Sequence, residues 1–447
     1  HQAAHGCAVV MEVETGEVKA IANLGRNKDG SYTENYNYAI GESLEPGSTF
    51  KLASAIALLE DDYYQPGDSL RTGEGSREFY GYKMQDARED GYGTITFKRA
   101  FEVSSNVGFS TAVHKAYNDN PEAYIQGLKA MRLHKPLGIP LKGTGKPVIK
   151  SPDHEDWSSI TLPWMAIGYG VRLTPLQLLS FYNGVANDGM LVKPRFVKRI
   201  RKVGRTIRDF SKTVLKPRIC SKQTARQATD MLAGVVQNGT AANLQTEAYQ
   251  IAGKTGTAKI ADGTGYAPGD HNYQASFVGF FPKHDPKYSC IVVVNRPTEG
   301  LYYGARVAGP VFREIADKIY AHDFPMHQYY ADRAQGERPH LPPVSPTQSA
   351  NIRQISQTLG IPFEQPQQPL NWIRATASQG KNMGLKTQSL SEKAVPDVRG
   401  MVLADALYAL EKRGLLVKAS GKGEVIAQSV QPGTHVDAYN TIKLTLQ

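Results

Sequence analysis

Three short strings constrain the fold of this chain more than any other feature: residues 48–51 (Ser-Thr-Phe-Lys), 104–106 (Ser-Ser-Asn) and 254–257 (Lys-Thr-Gly-Thr). They have the composition of a serine acyl-transfer site in which a lysine is the base. The strings lie far apart along the chain. If they act together, the fold has to bring all three into one groove.

The first string has the spacing of a nucleophile and its base on one helix. Ser48 and Lys51 lie three positions apart, and such residues are neighbours on a helix face. A turn signal, Pro46-Gly47, precedes them, and apolar residues with helical spacing follow: Leu52, Ala53, Ile56, Ala57 and Leu59. The pattern predicts a buried helix whose first turn carries Ser48.

A lysine can deprotonate a serine only if the pKa of its amine is lowered. Burial and a second nearby cation both act in that direction. Lys254 is the candidate for this second cation, and its charge would also bind an anionic carboxylate of a substrate.

The other two strings have the local context that this chemistry requires. Ser104 and Asn106 follow a helix-like stretch, 97–103, which suits a loop at a helix end. Residues 254–257 follow the turn-forming run 237–240 and lead into an apolar segment, as an edge strand would. A Ser-x-x-Lys string alone is weak evidence, but three strings in order and in context are specific.

With these motifs the chain resembles the transpeptidase domain of the high-molecular-weight class B penicillin-binding proteins, which are relatives of the serine β-lactamases. The resemblance covers residues 6–322. It includes Thr174-Pro175-Leu176-Gln177 ahead of a helix-like run, which is typical of class B members. It implies an α/β (α+β) fold of the β-lactamase/transpeptidase type, an antiparallel sheet flanked by helices with a large helical insert.

The resemblance also implies catalytic roles for four residues. Ser48 would attack the carbonyl of a stem peptide ending in D-Ala-D-Ala and become acylated, with Lys51 as the proton acceptor. Ser104 would pass a proton to the departing D-alanine. Asn106 would hydrogen-bond the substrate amide and Lys51.

Substrate binding is implied for the third string. Lys254 and Thr255 would hold the terminal carboxylate of the substrate. Gly256 would permit close approach of a substrate that lies along the strand as an added strand. The backbone amides of Ser48 and Thr257 would form the oxyanion hole. Penicillins and other β-lactams would acylate the same serine, and neither a cofactor nor a metal is needed.

The distribution of strand and helix patterns agrees with such a fold. A hairpin is predicted near the start of the chain, and strand signals return only near its end. The segment 48–236 between them is mainly helical in pattern. The predicted elements are strands at 8–13, 18–23, 251–260, 274–281 and 288–295 and a helix at 306–320.

The C-terminal part of the chain differs in composition. Residues 325–393 are rich in Pro, Gln and Ser and are predicted to form a linker with a little structure after a domain at 1–324. Residues 394–447 contain Val-Pro-Asp-Val-Arg-Gly from Val395, an amphipathic helix at 404–413 and a closing strand in which Ile442, Leu444 and Leu446 alternate with polar residues. This segment resembles one PASTA domain, a module of cell-wall synthases and extracellular kinase tails.

The formal net charge is +10, and much of it lies in residues 193–218, where eleven Lys and Arg residues face one acid, Asp209. Nucleic acid is one possible partner of such a segment. Val197, Ile200 and Val203 are interspersed with the charges and Gly204 marks a turn, so a solvated hairpin is the better interpretation. Anionic envelope polymers would be attracted to it, and no nucleic-acid partner is expected.

The sequence contains no run of eighteen apolar residues and no signal peptide. The resemblance implies a membrane anchor and a non-catalytic domain upstream of this segment. The expected location is then the extracytoplasmic face of the bacterial cytoplasmic membrane (the periplasm). A membrane glycosyltransferase and divisome proteins are the implied partners, since a PASTA tail accompanies division-type members of the class.

Several alternative functions share the acylation chemistry. A β-lactamase needs a base that activates water, and Glu155 lies in a suitable part of the chain without a context that assigns it this role. A D,D-carboxypeptidase would likewise transfer the acyl group to water. An alternative from a different functional class is that the chain acts as a β-lactam sensor or as a wall-binding scaffold whose site is silent.

Overall fold

The structure is a computed structural model, and it describes residues 1–260, 272–323, 326, 344–359, 372–376, 384–387 and 393–447. The chain divides into two compact units, His1–Met326 and His327–Gln447. All three strings of the candidate site lie in the first unit.

The described strands of the first unit form one large sheet and five two-stranded pairs. In chain order they are β1 (His5–Glu12), β2 (Val18–Arg26), β3 (Tyr32–Thr33), β4 (Ser69–Gly73), β5 (Ser76–Phe79), β6 (Tyr82–Gln85), β7 (Gly93–Thr96), β8 (Val148–Ile149), β9 (Val171–Arg172), β10 (Leu191–Val192), β11 (Arg199–Lys202), β12 (Arg205–Asp209), β13 (Val214–Lys216), β14 (Ala252–Lys259), β15 (Tyr273–Phe281) and β16 (Tyr288–Asn295).

The large sheet is antiparallel and has the strand order β14-β15-β16-β1-β2-β3. The early hairpin and the late strands therefore share one sheet, as the sequence predicted. β15 and β16 are buried at almost every position, because consecutive apolar residues need cover on both faces of a sheet. Helices supply that cover, and β14 lies at the edge, also as predicted.

The described helices of the first unit mostly lie between β3 and β14. They are α1 (Tyr38–Gly41), α2 (Lys51–Glu60), α3 (Phe97–Glu102), α4 (Asn106–Tyr117), α5 (Pro121–Ala130), α6 (Thr161–Met165), α7 (Pro175–Ala186), α8 (Lys222–Gln237) and α9 (Gly304–His322), with 3₁₀ turns at Gly47–Phe50 and Ala242–Leu244. Thr174 and Gln177 form a capping box at the start of α7, which explains why Thr-Pro-Leu-Gln begins a helix. α7 and α9 pack against β15 and β16, and α8 packs against β14.

The predicted helical character of residues 48–236 is incomplete. The five two-stranded pairs all lie in this range, and the β5–β6 hairpin among them contributes directly to the site described below. The basic segment contains the predicted hairpin, β11–β12, in which every residue is exposed. The cysteines Cys7, Cys220 and Cys290 are buried free thiols.

The second unit contains two groups of described elements. Within the predicted linker, β17 (Val344–Gln348), β18 (Trp372–Thr376) and β19 (Gly384–Thr387) form an antiparallel sheet, with a helix at Ser349–Leu359. Within 325–393 the structure describes only residues 326, 344–359, 372–376, 384–387 and 393. The rest of the predicted linker lies outside the described residues.

The last 55 residues have a hydrophobic core of their own, formed by residues such as Val398, Leu410 and Ile442. A helix (Leu403–Glu411) precedes β20 (Leu416–Ser420), β21 (Val425–Gln428), a 3₁₀ turn (Val436–Ala438) and β22 (Thr441–Leu446). β22 pairs in parallel with β20 and antiparallel with β21. In the part of the chain that the structure describes, no helix is both long and apolar enough to cross a bilayer.

Candidate active site

Ser48 lies in the 3₁₀ turn Gly47–Phe50, directly before α2 begins at Lys51. Gly47 has a φ of +55°, and a Cβ added there would lie 2.8 Å from the Cβ of Ala258 in β14. Only glycine allows the turn to pack this closely on the strand. Ser48 is partly exposed, whereas Lys51 is fully buried, so the nucleophile is accessible and its base is shielded from solvent.

The Lys51 amine is surrounded by four oxygen atoms. Nζ lies within hydrogen-bonding distance of Ser48 Oγ at 3.1 Å, Ser104 Oγ at 3.1 Å, the Ser104 carbonyl at 2.6 Å and Asn106 Oδ1 at 2.7 Å. When the amine is neutral it has a lone pair, and Ser48 can then donate its hydrogen to Nζ. The first two strings of the sequence are thus joined at one nitrogen atom.

Burial lowers the pKa of Lys51 from 10.5 to about 7, and the negative charge of Asp86 acts in the opposite direction with a smaller effect than burial. A substantial fraction of the amine is therefore neutral at neutral pH. Sequence reasoning assigned part of this lowering to Lys254. In the structure burial is the cause that lowers the pKa of Lys51. Burial also lowers the pKa of Lys254 well below its ordinary value, and the charge of Lys51 lowers it further.

The second string approaches Lys51 through an unusual backbone conformation. Ser104 has a φ of +58°, a conformation that is uncommon for residues other than glycine. This turn directs both the carbonyl and the hydroxyl of Ser104 at the Lys51 amine. α4 begins two residues later, and Ser105 caps it by accepting from the backbone N–H of Gly108 at 2.9 Å.

Two residues that sequence reasoning missed fix the second string in place. Gln85 ends β6, and its carbonyl accepts from Asn106 Nδ2 at 2.8 Å, so that Asn106 Oδ1 faces Lys51. Asp86 follows, and its carboxylate accepts from Ser105 Oγ and from the backbone N–H of Val107.

A signal for this hairpin is present in the sequence. Tyr80-Gly81 separates two short segments that contain strand-forming residues, and both residues have positive φ values, 49° and 84°. Two positive φ values are typical of the two-residue turns that join tight hairpins. Tyrosine is uncommon at such a position, which is why the turn was not recognised.

The third string lies on the edge strand β14. Lys254 is fully buried, and its Nζ donates to the Thr255 carbonyl at 3.2 Å and lies 5.8 Å from the centre of the Phe101 ring. A cation over an aromatic face is attracted to the ring. Phe101 belongs to α3, which ends just before Ser104, so this contact joins the strand to the helical side of the site.

The two threonines of the third string are held by hydrogen bonds. Thr255 Oγ1 lies 2.7 Å from Thr240 Oγ1, at the end of the turn-forming run after α8. Thr257 Oγ1 accepts from the backbone N–H of Gly304 at 3.2 Å, where α9 begins. The edge strand is therefore tied to the ends of two helices.

Packing supplies a reason for Gly256 that the sequence did not indicate. A Cβ at this position would lie 2.3 Å from Ser276 Oγ and 2.9 Å from Thr49 Cγ2. Thr49 belongs to the turn that carries Ser48. Glycine is thus required for the close contact between the catalytic turn and the edge strand.

The structure brings the three predicted strings together, since Lys51 contacts the first two and the Ser48 turn packs against β14, which carries the third. We call the Ser48 turn, α2 and the start of α4 the helical wall of this site, and β14 its strand wall. Glu155 is exposed in the loop before α6. Among the described residues, no group of three or more His, Cys, Asp and Glu side chains is arranged to hold a metal ion.

Comparisons with known proteins agree with this geometry. Residues 6–317 match the family model "Penicillin binding protein transpeptidase domain", and residues 393–447 match the PASTA domain. Since the first match covers more than half of the sequence, the chain belongs to the penicillin-binding protein transpeptidase family. The family and the PASTA module predicted from the sequence are both confirmed.

Individual relatives give the same result. The chain is 32% identical over 333 residues to penicillin-binding protein PbpB of Mycobacterium tuberculosis, covering 69% of this chain and 46% of the relative. It is 29% identical over 317 residues to the probable peptidoglycan D,D-transpeptidase PbpC of Pseudomonas aeruginosa, covering 69% of this chain and 52% of that protein. The chain thus spans about half the length of the curated relatives it matches.

A solved structure shares the fold. Penicillin-binding protein 3 of Mycobacterium tuberculosis, complexed with aztreonam, superposes with a TM-score of 0.62 at 29% identity. The match covers 72% of this chain and 73% of that one. The α/β transpeptidase fold expected from the sequence is therefore confirmed.

Proposed function

We propose that this chain is a peptidoglycan D,D-transpeptidase that cross-links stem peptides through an acyl-enzyme on Ser48. The observation that carries the proposal is the arrangement at Lys51, a buried amine with a pKa of about 7 that contacts Ser48, Ser104 and Asn106 at once. A base with a pKa near the working pH is the most effective in general-base catalysis.

In the first step, neutral Lys51 removes the proton of Ser48 as Oγ attacks the carbonyl carbon of the penultimate D-alanine. The negative charge that develops on the carbonyl oxygen is stabilised by the backbone amides of Ser48 and Thr257. Lys254 and Thr255 bind the terminal carboxylate, which keeps the scissile bond aligned along β14.

In the second step, the amine of the departing D-alanine takes up a proton. The route runs from the Lys51 ammonium through Ser104 Oγ, 3.1 Å away. The amino group of a second stem peptide then attacks the acyl-enzyme and its proton returns to Lys51 by the reverse route. The ester bond to Ser48 breaks, an amide cross-link forms, and the serine recovers its hydrogen.

The remaining assignments follow from the same proposal. β-Lactams acylate Ser48, since they take the place of the D-Ala-D-Ala substrate. The protein acts at the extracytoplasmic face of the bacterial membrane, anchored by an upstream segment, together with a membrane glycosyltransferase and divisome proteins. The PASTA module of residues 393–447 points to a role in division.

The decisive experiment is the intact mass of the wild type and of Ser48→Ala after incubation with benzylpenicillin. We expect one penicilloyl adduct on the wild type and none on the variant. An adduct that persists in Ser48→Ala contradicts the assignment of the nucleophile.

A second measurement separates the proposed reaction from its alternatives. With a D-Ala-D-Ala peptide and an amino acceptor, a transpeptidase gives the amide product. A D,D-carboxypeptidase gives hydrolysis, a β-lactamase turns over penicillin, and a sensor is acylated and then stops.

A further inference from the structure

We propose that Asp86 is a positioning residue for this reaction, which holds the 104–106 turn against Lys51 through contacts with Ser105 and Val107. The proposal rests on the acylation of Ser48 proposed above. Asp86 lies outside the three strings, and no part in the reaction was predicted for it from the sequence.

The contacts of the Asp86 carboxylate converge on the start of α4. Oδ1 accepts from the backbone N–H of Val107 at 2.9 Å, and Ser105 Oγ donates to Oδ1 at 3.0 Å and Oδ2 at 2.8 Å. Ser105 Oγ in turn accepts from Gly108 N–H at 2.9 Å. A carboxylate at a helix N-terminus is also favoured by the helix dipole. The Asp86 carboxylate thus holds the start of α4 in place, and with it Asn106 in the first turn of that helix.

The backbone on either side of Asp86 strengthens this link. Its own N–H donates to the Gly75 carbonyl at 2.8 Å, which extends the β5–β6 pairing by one bond. The preceding carbonyl, that of Gln85, accepts from Asn106 Nδ2 and so orients Asn106 Oδ1 toward Lys51. A shift of Asp86 would therefore move both the start of α4 and the amide that contacts the catalytic amine.

The charge of Asp86 has a second consequence. The Asp86 carboxylate favours the ammonium form of Lys51 and so raises the pKa of that amine against the larger effect of burial. Asp86 also acts on Tyr92, whose pKa is raised by burial and by the Asp86 charge and lowered by Arg88 and Arg99. Neutralising Asp86 therefore lowers the pKa of Lys51 and extends activity to lower pH.

The test compares Asp86→Asn with Asp90→Asn, a matched change at an exposed carboxylate in the same loop. The acylation rate constant with a fluorescent penicillin is measured from pH 5 to 9. For Asp86→Asn we expect the acylation rate constant at the plateau of the pH–rate profile to fall about 10- to 100-fold, because the 104–106 turn is displaced. The acid limb of its pH–rate profile should move to lower pH, whereas Asp90→Asn should match the wild type.

A second variant separates position from charge. Ser105→Ala removes a contact of Asp86 but leaves the Asp86 charge in place. The plateau of the acylation rate should therefore fall about tenfold, while the acid limb of the pH–rate profile should not move. If Asp86→Asn does not fold, as judged by thermal unfolding, Ser105→Ala carries the test, and an unchanged rate overturns the proposal.

The outcomes distinguish this proposal from the proposed function. If wild type is not acylated at Ser48, the proposed function itself is wrong. If wild type is acylated and Asp86→Asn has the same plateau and limb, only the role of Asp86 is wrong. A loss of rate with no movement of the limb would assign Asp86 a purely structural role and contradict its effect on Lys51.

Discussion

The two walls of the groove each contain a fully buried lysine, but the surroundings of the two amines differ. On the helical wall, Lys51 Nζ is enclosed by four oxygens of Ser48, Ser104 and Asn106. On the strand wall, Lys254 Nζ makes one hydrogen bond within the described part of the chain, to the Thr255 carbonyl, and otherwise faces the Phe101 ring.

This difference separates two tasks that a buried amine can perform. The oxygens around Lys51 solvate its charged form and offer a neighbour for its lone pair, so a proton can move on and off at low cost. Lys254 has few partners, so its charged form is poorly stabilised in the buried site. An anion that binds beside it would therefore stabilise that charged form strongly. We infer that Lys51 transfers protons and that Lys254 binds the carboxylate.

The largest effect should come from removing the base on the helical wall. We expect Lys51→Met to lower the acylation rate by about 10³-fold or more, because Ser48 loses its proton acceptor. Lys51→Arg should be equally inactive, since a guanidinium stays protonated. Intact-mass kinetics with benzylpenicillin measure the rate, and Lys115→Met, at an exposed lysine of α4, is the control. A rate within tenfold of the wild type for Lys51→Met would make another group the base.

A smaller effect is expected on the strand wall. Lys254→Met should lower acylation by about 100-fold, mainly through the penicillin concentration needed for half-maximal rate. The loss should be much smaller with a penicillin whose carboxylate is esterified, because that ligand has no charge for Lys254 to bind. Equal losses with both ligands would show that Lys254 acts on Ser48 or Lys51 and not on the carboxylate.

The sequence predicted some residues of the two walls but not the contacts that hold them in place. Ser48 and Lys51 were recognisable because helical spacing alone places them together, and the edge strand because alternation and turns bound it. Asp86 was not recognisable, because it follows two strands of four residues each and has no periodic pattern around it. The reason for Gly256 was also hidden, since it depends on Ser276 and Thr49, which lie elsewhere in the chain.

A similar limit applies to the fold. Strands of eight or nine residues in the large sheet have enough alternation or apolar content to be found. Two-residue strands such as β8, β9 and β10 do not, since no period can be read from two positions.

The buried amine on the strand wall should also reduce stability, with a defined dependence on pH. The pKa of Lys254 is lowered on folding by burial and by the charge of Lys51. The unfolded chain therefore binds more protons than the folded one at all pH values between the lowered pKa and the ordinary value near 10.5, and stability rises with pH over that window.

Replacement of Lys254 by Met removes this penalty. We expect Lys254→Met to raise the melting temperature at pH 7.5 by about 2–6 °C, and the gain should shrink as the pH approaches 10.5. Thermal unfolding at several pH values measures it. A gain that is constant with pH would come from packing and not from the buried amine.

The smallest effect should come from a residue that supports the catalytic turn from below. Tyr182 is fully buried in α7, and its hydroxyl donates to the Thr49 carbonyl at 2.7 Å. Tyr182→Phe keeps the ring and removes this bond, which should cost about 1 kcal/mol of unfolding free energy. Since Thr49 lies beside Ser48, acylation should slow by about two- to fivefold, while Tyr63→Phe, at a half-exposed tyrosine, should change neither quantity. Loss of stability with an unchanged rate would mean that the close packing of the Ser48 turn on the strand wall, at Gly47 and Gly256, is sufficient to position Ser48.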